Sequence, residues 1–132
     1  MLTWKSERDG MGFVVSADAA QTLIRLSFWG LWDDALGTEF ERAMANAFNQ
    51  IPTGDKWFVL ADISRYPPQR PAVQECHGRC MRRAKDKVRK SANLVDSRLG
   101  ELQIRRLSEE SGLPSFSFFT TEASAMRWLR DG

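Results

Sequence analysis

The chain has little of what usually announces a function. Its 132 residues include two cysteines, one histidine and a formal charge of +2, so no disulfide framework can be built and the overall charge is too small to argue for nucleic acid. No apolar run approaches the ~20 residues of a membrane span. Met1 to Gly10 holds no apolar segment of signal-peptide length, so the chain is expected in the cytoplasm with Cys76 and Cys80 as reduced thiols. Internal repeats, low-complexity linkers, a phosphate-cradling glycine loop and a nucleophile paired with a base are all missing. The composition, 42% hydrophobic and 27% charged, is that of an ordinary globular protein. At this length it is expected to form one domain, residues 1–132, burying roughly two-thirds of its unfolded surface.

What the chain does have is order. Trp57-Phe58-Val59-Leu60-Ala61-Asp62-Ile63-Ser64 is a continuous apolar run ending at an acid and a hydroxyl, which reads as a strand covered on both faces whose carboxyl end opens into a loop. Upstream, Phe13–Val15 and Thr22–Trp29 read as a hairpin with a longer loop between them. A helix starts near Asp33 or Asp34 and carries Leu36, Phe40, Ala43, Met44, Ala47, Phe48 and Ile51 on one arc. Downstream, a helix is predicted from Pro71 to Val88, a short strand over Ser91–Val95, a helix over Leu99–Ser111, a strand over Ser115–Thr120 and a last helix over Glu122–Arg130. The resulting order, ββαβαβαβα, is α/β: a mostly parallel mixed sheet of about five strands with about four helices.

This succession resembles the STAS-like family of anti-sigma-factor antagonists, through Phe28-Trp29-Gly30, Leu60-Ala61-Asp62-Ile63-Ser64, and Phe118-Phe119-Thr120-Thr121-Glu122-Ala123 continuing to Trp128-Leu129. The resemblance covers about residues 22–129. It implies a SpoIIAA-like layered fold with protein partners rather than chemistry as the commonest role, and a relation to lipid-binding SEC14 domains. The antagonists carry an Asp-Ser-Ser-Gly signature before the second helix. Here that loop reads Arg65-Tyr66-Pro67-Pro68-Gln69-Arg70-Pro71, without serine, so the phosphorylated residue is not carried over to Ser64.

Several groups could carry chemistry. Cys76, His77 and Cys80 suggest a metal, but His77 swings about 100° from the cysteines on a helix and no fourth ligand is in sight; packed structural thiols, with no metal and no cofactor, are the expectation. Arg79 beside Cys76 keeps a redox thiol as the competing account. Arg79, Arg82 and Arg83 open a basic run through Lys90 that is expected to be a solvated helix face, or else a patch for an anionic partner. Nucleic acid is not expected there, because no aromatic interleaves these cations in sequence. Asp33 and Asp34 read as helix caps. Asp62, Ser64, Asp96, Ser97, Thr120 and Thr121 would meet on one rim if three strands are parallel, either as turn and cap residues or as a partner or ligand rim. Trp29, Trp32, Leu102 and Ile104 form a candidate association patch, the alternative being deep burial of the third helix.

Two functions follow from these residues taken with what the resemblance implies. One is a non-catalytic binding module, a homodimer working through protein contacts. The other is a carrier of a small apolar or lipid-like anionic ligand, with aromatic residues lining a cleft.

Overall fold

A computed structural model of the chain describes residues 1–131. β1 (Leu2–Arg8), β2 (Met11–Asp18) and β3 (Leu23–Trp29) are followed by α1 (Asp34–Phe48), β4 (Trp57–Arg65), α2 (Pro71–Ala84), β5 (Val88–Leu94), α3 (Arg98–Glu110), β6 (Phe116–Phe119) and α4 (Glu122–Arg130). The six strands lie side by side in chain order. β1, β2 and β3 pair antiparallel, and β3 to β6 pair parallel. The α/β architecture expected from the sequence is therefore present, with six strands in place of about five.

The added strand is β1. Its residues alternate polar and apolar too loosely to stand out, yet Asp9-Gly10 between β1 and β2 takes positive φ at both residues (50 and 77°), the conformation of a two-residue hairpin turn that this dipeptide favours. β2 also runs further than Phe13–Val15, because Ser16 and Asp18 continue its alternation on the less covered face. α2 ends at Ala84, not Val88: the Lys87 amide closes a turn onto Ala84 O at 2.9 Å and the Lys87 carbonyl accepts from Trp57 N at 3.0 Å. Val88 thereby becomes the first residue of β5, buried beside Trp57.

The period of two along each strand sorts the core into two layers. Trp57, Val59, Ala61 and Ile63 of β4 join Phe13, Val15, Ile24 and Phe28 beneath α1, α2 and α3. On the opposite face Leu23, Leu60 and Ala92 are covered by Ala125 and Leu129 of α4. Each large apolar side chain removed from water in this way contributes ~1.5–3 kcal/mol, and every apolar residue of the predicted α1 arc is buried. α4 covers the second face over β4, β5 and β6 and reaches β3 at Leu23 and Arg25, so much of that face over β1, β2 and the rest of β3 has no helix on it.

Two members of the candidate association patch belong to the core instead. Trp32 is 2% exposed and sits in a cluster with Phe13, Phe28, Phe40, Tyr66 and His77 at ring separations of 5.0–5.8 Å, its indole N–H donating to Trp29 O at 3.1 Å. Ile104 is 4% exposed because it lies on the stripe of α3 that faces the sheet, while Leu102, at 46%, lies on the other stripe with Leu99. One helix with two apolar stripes explains why four apolar residues could not be placed on one side.

Gly30 marks where β3 turns into the α1 loop. Its φ is +76° and an added Cβ would lie 2.3 Å from Gly10 O. The Gly30→Ala variant should lose about 3 kcal/mol or more of unfolding free energy in urea. Gly54→Ala, at φ +85° in open space, should lose only about 1 kcal/mol.

Candidate functional site

The parallel strands bring their carboxyl ends to one end of the sheet, and the residues there are shaped by local rules. Between β3 and β4 the register shifts after Ser27↔Asp62, so that Trp29 meets Arg65. This bulge-like irregularity bends β4 and re-aims its last side chains. Asp62 Oδ1 accepts from the Ser64 amide at 3.0 Å and from Ser64 Oγ at 2.6 Å. The Arg65 guanidinium lies 5.4 Å from the Trp29 ring centroid. Ser97 caps α3 by accepting from Gly100 N at 3.2 Å, and Thr121 caps α4 by accepting from Ser124 N at 3.2 Å. Asp96 and Thr120 are exposed.

The six rim residues thus share one end of the sheet but divide between its faces. Asp96 and Ser97 lead into α3 above the well-covered face. Asp62 points to the other face, where Thr120 and Thr121 start α4. On that side a groove of about 250 Å3 runs between Asp62 and Glu122 over Val14, Ser16 and Ser27. A second groove of about 470 Å3 lies along Lys5, Glu7, Val14, Trp29 and Arg65. The two share Val14 and form one grooved, mixed-charge surface. Lys5, Glu7, Val14, Arg25 and Arg65 were not among the residues singled out from sequence; the polar-apolar alternation Arg25-Ser27-Trp29, opposite Val14 and Ser16 of β2, is the signal that points to them.

The loops behind this surface are held from inside. The Gln69 side chain, buried at the rim, accepts from Trp32 N at 2.8 Å and donates to Gly30 O at 2.9 Å and Pro67 O at 2.8 Å. Its own amide donates to Gln103 Oε1 at 3.3 Å. One side chain therefore ties the β3–α1 and β4–α2 loops together. Asp33 caps α1 through Leu36 N at 2.8 Å and receives Arg8 at 3.0 Å; the Leu36 amide first, then Arg8, hold its carboxyl below the usual carboxylate range. Asp34 pairs with Arg70 at 2.7 Å. Both aspartates do the helix-start work expected of them.

The basic cluster is partly spent. Arg79 grips Glu41 of α1 with two hydrogen bonds of 2.6 and 3.0 Å, whereas Arg82 and Arg83 are exposed and without an ion pair among the described residues. Folding also brings aromatics to cations that sequence order keeps apart: Arg89 and Arg130 approach Phe58 at 6.0 and 5.2 Å, and Lys90 approaches Trp128 at 4.8 Å. These rings are already engaged by the chain's own cations, which is the opposite of a free stacking platform.

The groups with reactive chemistry point inward. Burial pushes the Cys76 thiol up to about 11 and the Cys80 thiol up to about 12, which favours the unreactive protonated form over the thiolate that a redox role needs. Tyr66 and His77 are buried and joined through Tyr66 Oη and His77 Nε2 at 2.6 Å. Burial raises the phenol far above its ordinary range and lowers His77 to about 4, so at neutral pH a protonated phenol meets a neutral imidazole. No group of three or more metal-ligating side chains occurs among the described residues. Between the covered face and α1, α2 and α3 lies a cavity of about 70 Å3 touching His77, Ser91, Asn93 and Ser108. Pockets for drug-sized ligands run to about 300–1,000 Å3, so this space is too small for the lipid-like cargo of the carrier reading.

Comparison with known proteins bears on the fold. No family model matches the chain, and no curated protein matches it. Among solved structures it is similar to an uncharacterised protein of the DUF3478 family with a SpoIIAA-like fold from Shewanella loihica PV-4, at 16% identity and a TM-score of 0.74 over 94% of this chain and 98% of that one. It is also similar to an anti-sigma factor antagonist from Mycobacterium paratuberculosis, at 12% identity and a TM-score of 0.61 over 90% of this chain and 95% of that one. The chain has the SpoIIAA-like fold that the order of its strands and helices suggested.

Two measurements check the inward chemistry. Both thiols should react with a disulfide reagent at pH 7.5 far more slowly in the folded protein than in urea; rapid labelling of either would revive the redox account. His77 titrates near 4 in the folded chain and near 6.5 in an unfolded one, so between these values the unfolded chain binds a proton there that the folded chain does not. Stability should be full above pH 6.5 and fall by roughly 3 kcal/mol as pH drops toward 4, as read from urea midpoints. Asp33 and Glu41, both held low, add their losses at lower pH. A His77→Gln variant should show a flatter decline across pH 6.5–4.

Proposed function

We propose that the chain is a non-catalytic regulatory module of the cytoplasm, a homodimer that docks a protein partner on the grooved half of its sheet and the adjoining carboxyl rim. The observation that carries this reading is the surface itself. Trp29, backed by Arg65 and flanked by Lys5, Glu7 and Asp62, joins an aromatic anchor to charges of both signs, a mixture suited to protein recognition. The loops beneath it are fixed by Gln69, so a partner would meet a preorganised surface and little ordering cost.

The fold neighbours support the same direction, since one of them is named as an anti-sigma factor antagonist. The inward placement of Cys76, Cys80, Tyr66 and His77 agrees with recognition in place of catalysis. The β4–α2 loop holds no serine, so switching by phosphorylation of that loop forms no part of the proposal.

Site-specific photocrosslinking in living cells tests the docking surface. A photoreactive residue at Ser27, Asp96 or Thr120 should give an adduct with one and the same other protein, identified by mass spectrometry, and the same probe at Arg42 or Asn46 on the outer side of α1 should not. Arg65→Glu should weaken the complex at least about tenfold. Equal adducts from both sets of positions, or none from the rim and sheet, would overturn the assignment.

A further inference from the structure

β1 is an edge strand. Its inner side is bonded to β2 and, among the described residues, no strand lies on its outer side. Which backbone groups face outward follows from the turn that ends it: a two-residue turn at Asp9-Gly10 closes on Arg8↔Met11 as a hydrogen-bonded pair. Antiparallel pairs alternate between bonded and non-bonded. Arg8, Ser6 and Trp4 therefore turn their amides and carbonyls toward β2, and Thr3, Lys5 and Glu7 turn theirs outward, free to pair with another strand.

We propose that two copies of this chain join through this edge, β1 against β1, antiparallel and centred on Ser6, to form one continuous sheet with six strands from each copy. Charge selects both the occupant and the register. Lys5 and Glu7 are exposed, lie on the same face of β1, and have no ion pair within their own chain among the described residues. A two-fold axis at Lys5 would set that lysine against itself, an unfavourable like-charge pair. An axis at Ser6 sets Lys5 opposite Glu7 of the second copy and Glu7 opposite its Lys5, and both pairs fall at positions whose backbone groups face outward. On the other face the same axis sets Trp4 opposite Arg8 of the second copy, a cation beside an indole. Arg8 is already steadied by Asp33 and Glu39 at 3.0 and 2.8 Å.

Lysine on an edge strand is a common guard against unwanted pairing. Here Lys5 repels a copy centred on itself and is answered in the copy shifted by one residue, so it excludes one register and favours another. The inference rests on the self-association in the proposed function and supplies its surface; Lys5 and Glu7 also border the grooved docking face, and sedimentation of the isolated protein reads the pairing without the partner.

Sedimentation of the protein and two variants tests the pairing. The unmodified chain should sediment as a dimer. Lys5→Glu and Glu7→Lys should each weaken dimerisation about tenfold or more, since each converts both cross-strand pairs to like charge. Mixing the two variants should restore a dimer containing one of each, because every facing pair is then opposite in charge. Such recovery also shows that both variants fold. A monomeric unmodified protein would overturn the edge pairing together with self-association. A dimer that neither substitution weakens would overturn the edge pairing alone, and two weakened variants that fail to recover on mixing would overturn the register centred on Ser6.

Discussion

A six-stranded sheet has two faces, and the described residues form four helices with which to cover them. Three crossovers in the same sheet place α1, α2 and α3 on one side, which leaves α4 to cover the other over β4, β5 and β6 and at Leu23 and Arg25 of β3. The uncovered part is a consequence of that shortage. It explains why β4, apolar on both faces at Phe58, Val59 and Leu60, changes to Asp62 and Ser64 near its end: there the strand is only half-covered, and a carboxylate keeps the solvation that full burial would remove.

The well-covered face shows the reverse tendency. Five ring-bearing side chains, Phe13, Phe28, Trp32, Phe40 and Tyr66, pack with His77 so closely that, among the described residues, the Tyr66–His77 hydrogen bond is the one polar contact between them. A buried imidazole is tolerable when it is neutral and hydrogen-bonded, and costly when charged. The same cluster includes Trp32, whose backbone amide is held by Gln69. The rim loops are thus anchored to the core by one glutamine and one tryptophan, and the surface they present is fixed by interior packing.

Legibility followed the strength of local signals. α1 was plain because seven apolar residues fall on one arc, and β4 because its apolar run is uninterrupted. β1 was not, since Thr3, Lys5, Ser6, Glu7 and Arg8 carry no clear period; the Asp9-Gly10 turn held the information and only its pairing with β2 gives it meaning. Trp32 and Ile104, left open between an association patch and burial, fall to burial for a related reason. Whether a large apolar residue is core or surface depends on which stripe of a helix meets the sheet, and α3 has two apolar stripes. The rim was legible as a set of strand ends, but its division between faces depends on where α4 packs, a long-range outcome that no local pattern encodes.

The charges on the uncovered half then have a physical interpretation that a solvated surface alone does not require. An exposed sheet face left apolar would invite aggregation, and one left uniformly charged would repel most partners. Here Lys5, Glu7, Arg25, Asp62 and Arg65 surround Trp29 and Val14 with both signs in short alternation. Such a surface stays soluble when free, yet it offers an apolar anchor whose neighbouring charges can each be answered from a complementary one. The same alternation continues to the sheet edge, where Lys5 and Glu7 share a face two residues apart. In the proposed docking and pairing, selectivity on both the face and the edge comes from the pattern of charge, while the covered side supplies the rigidity that makes the pattern readable.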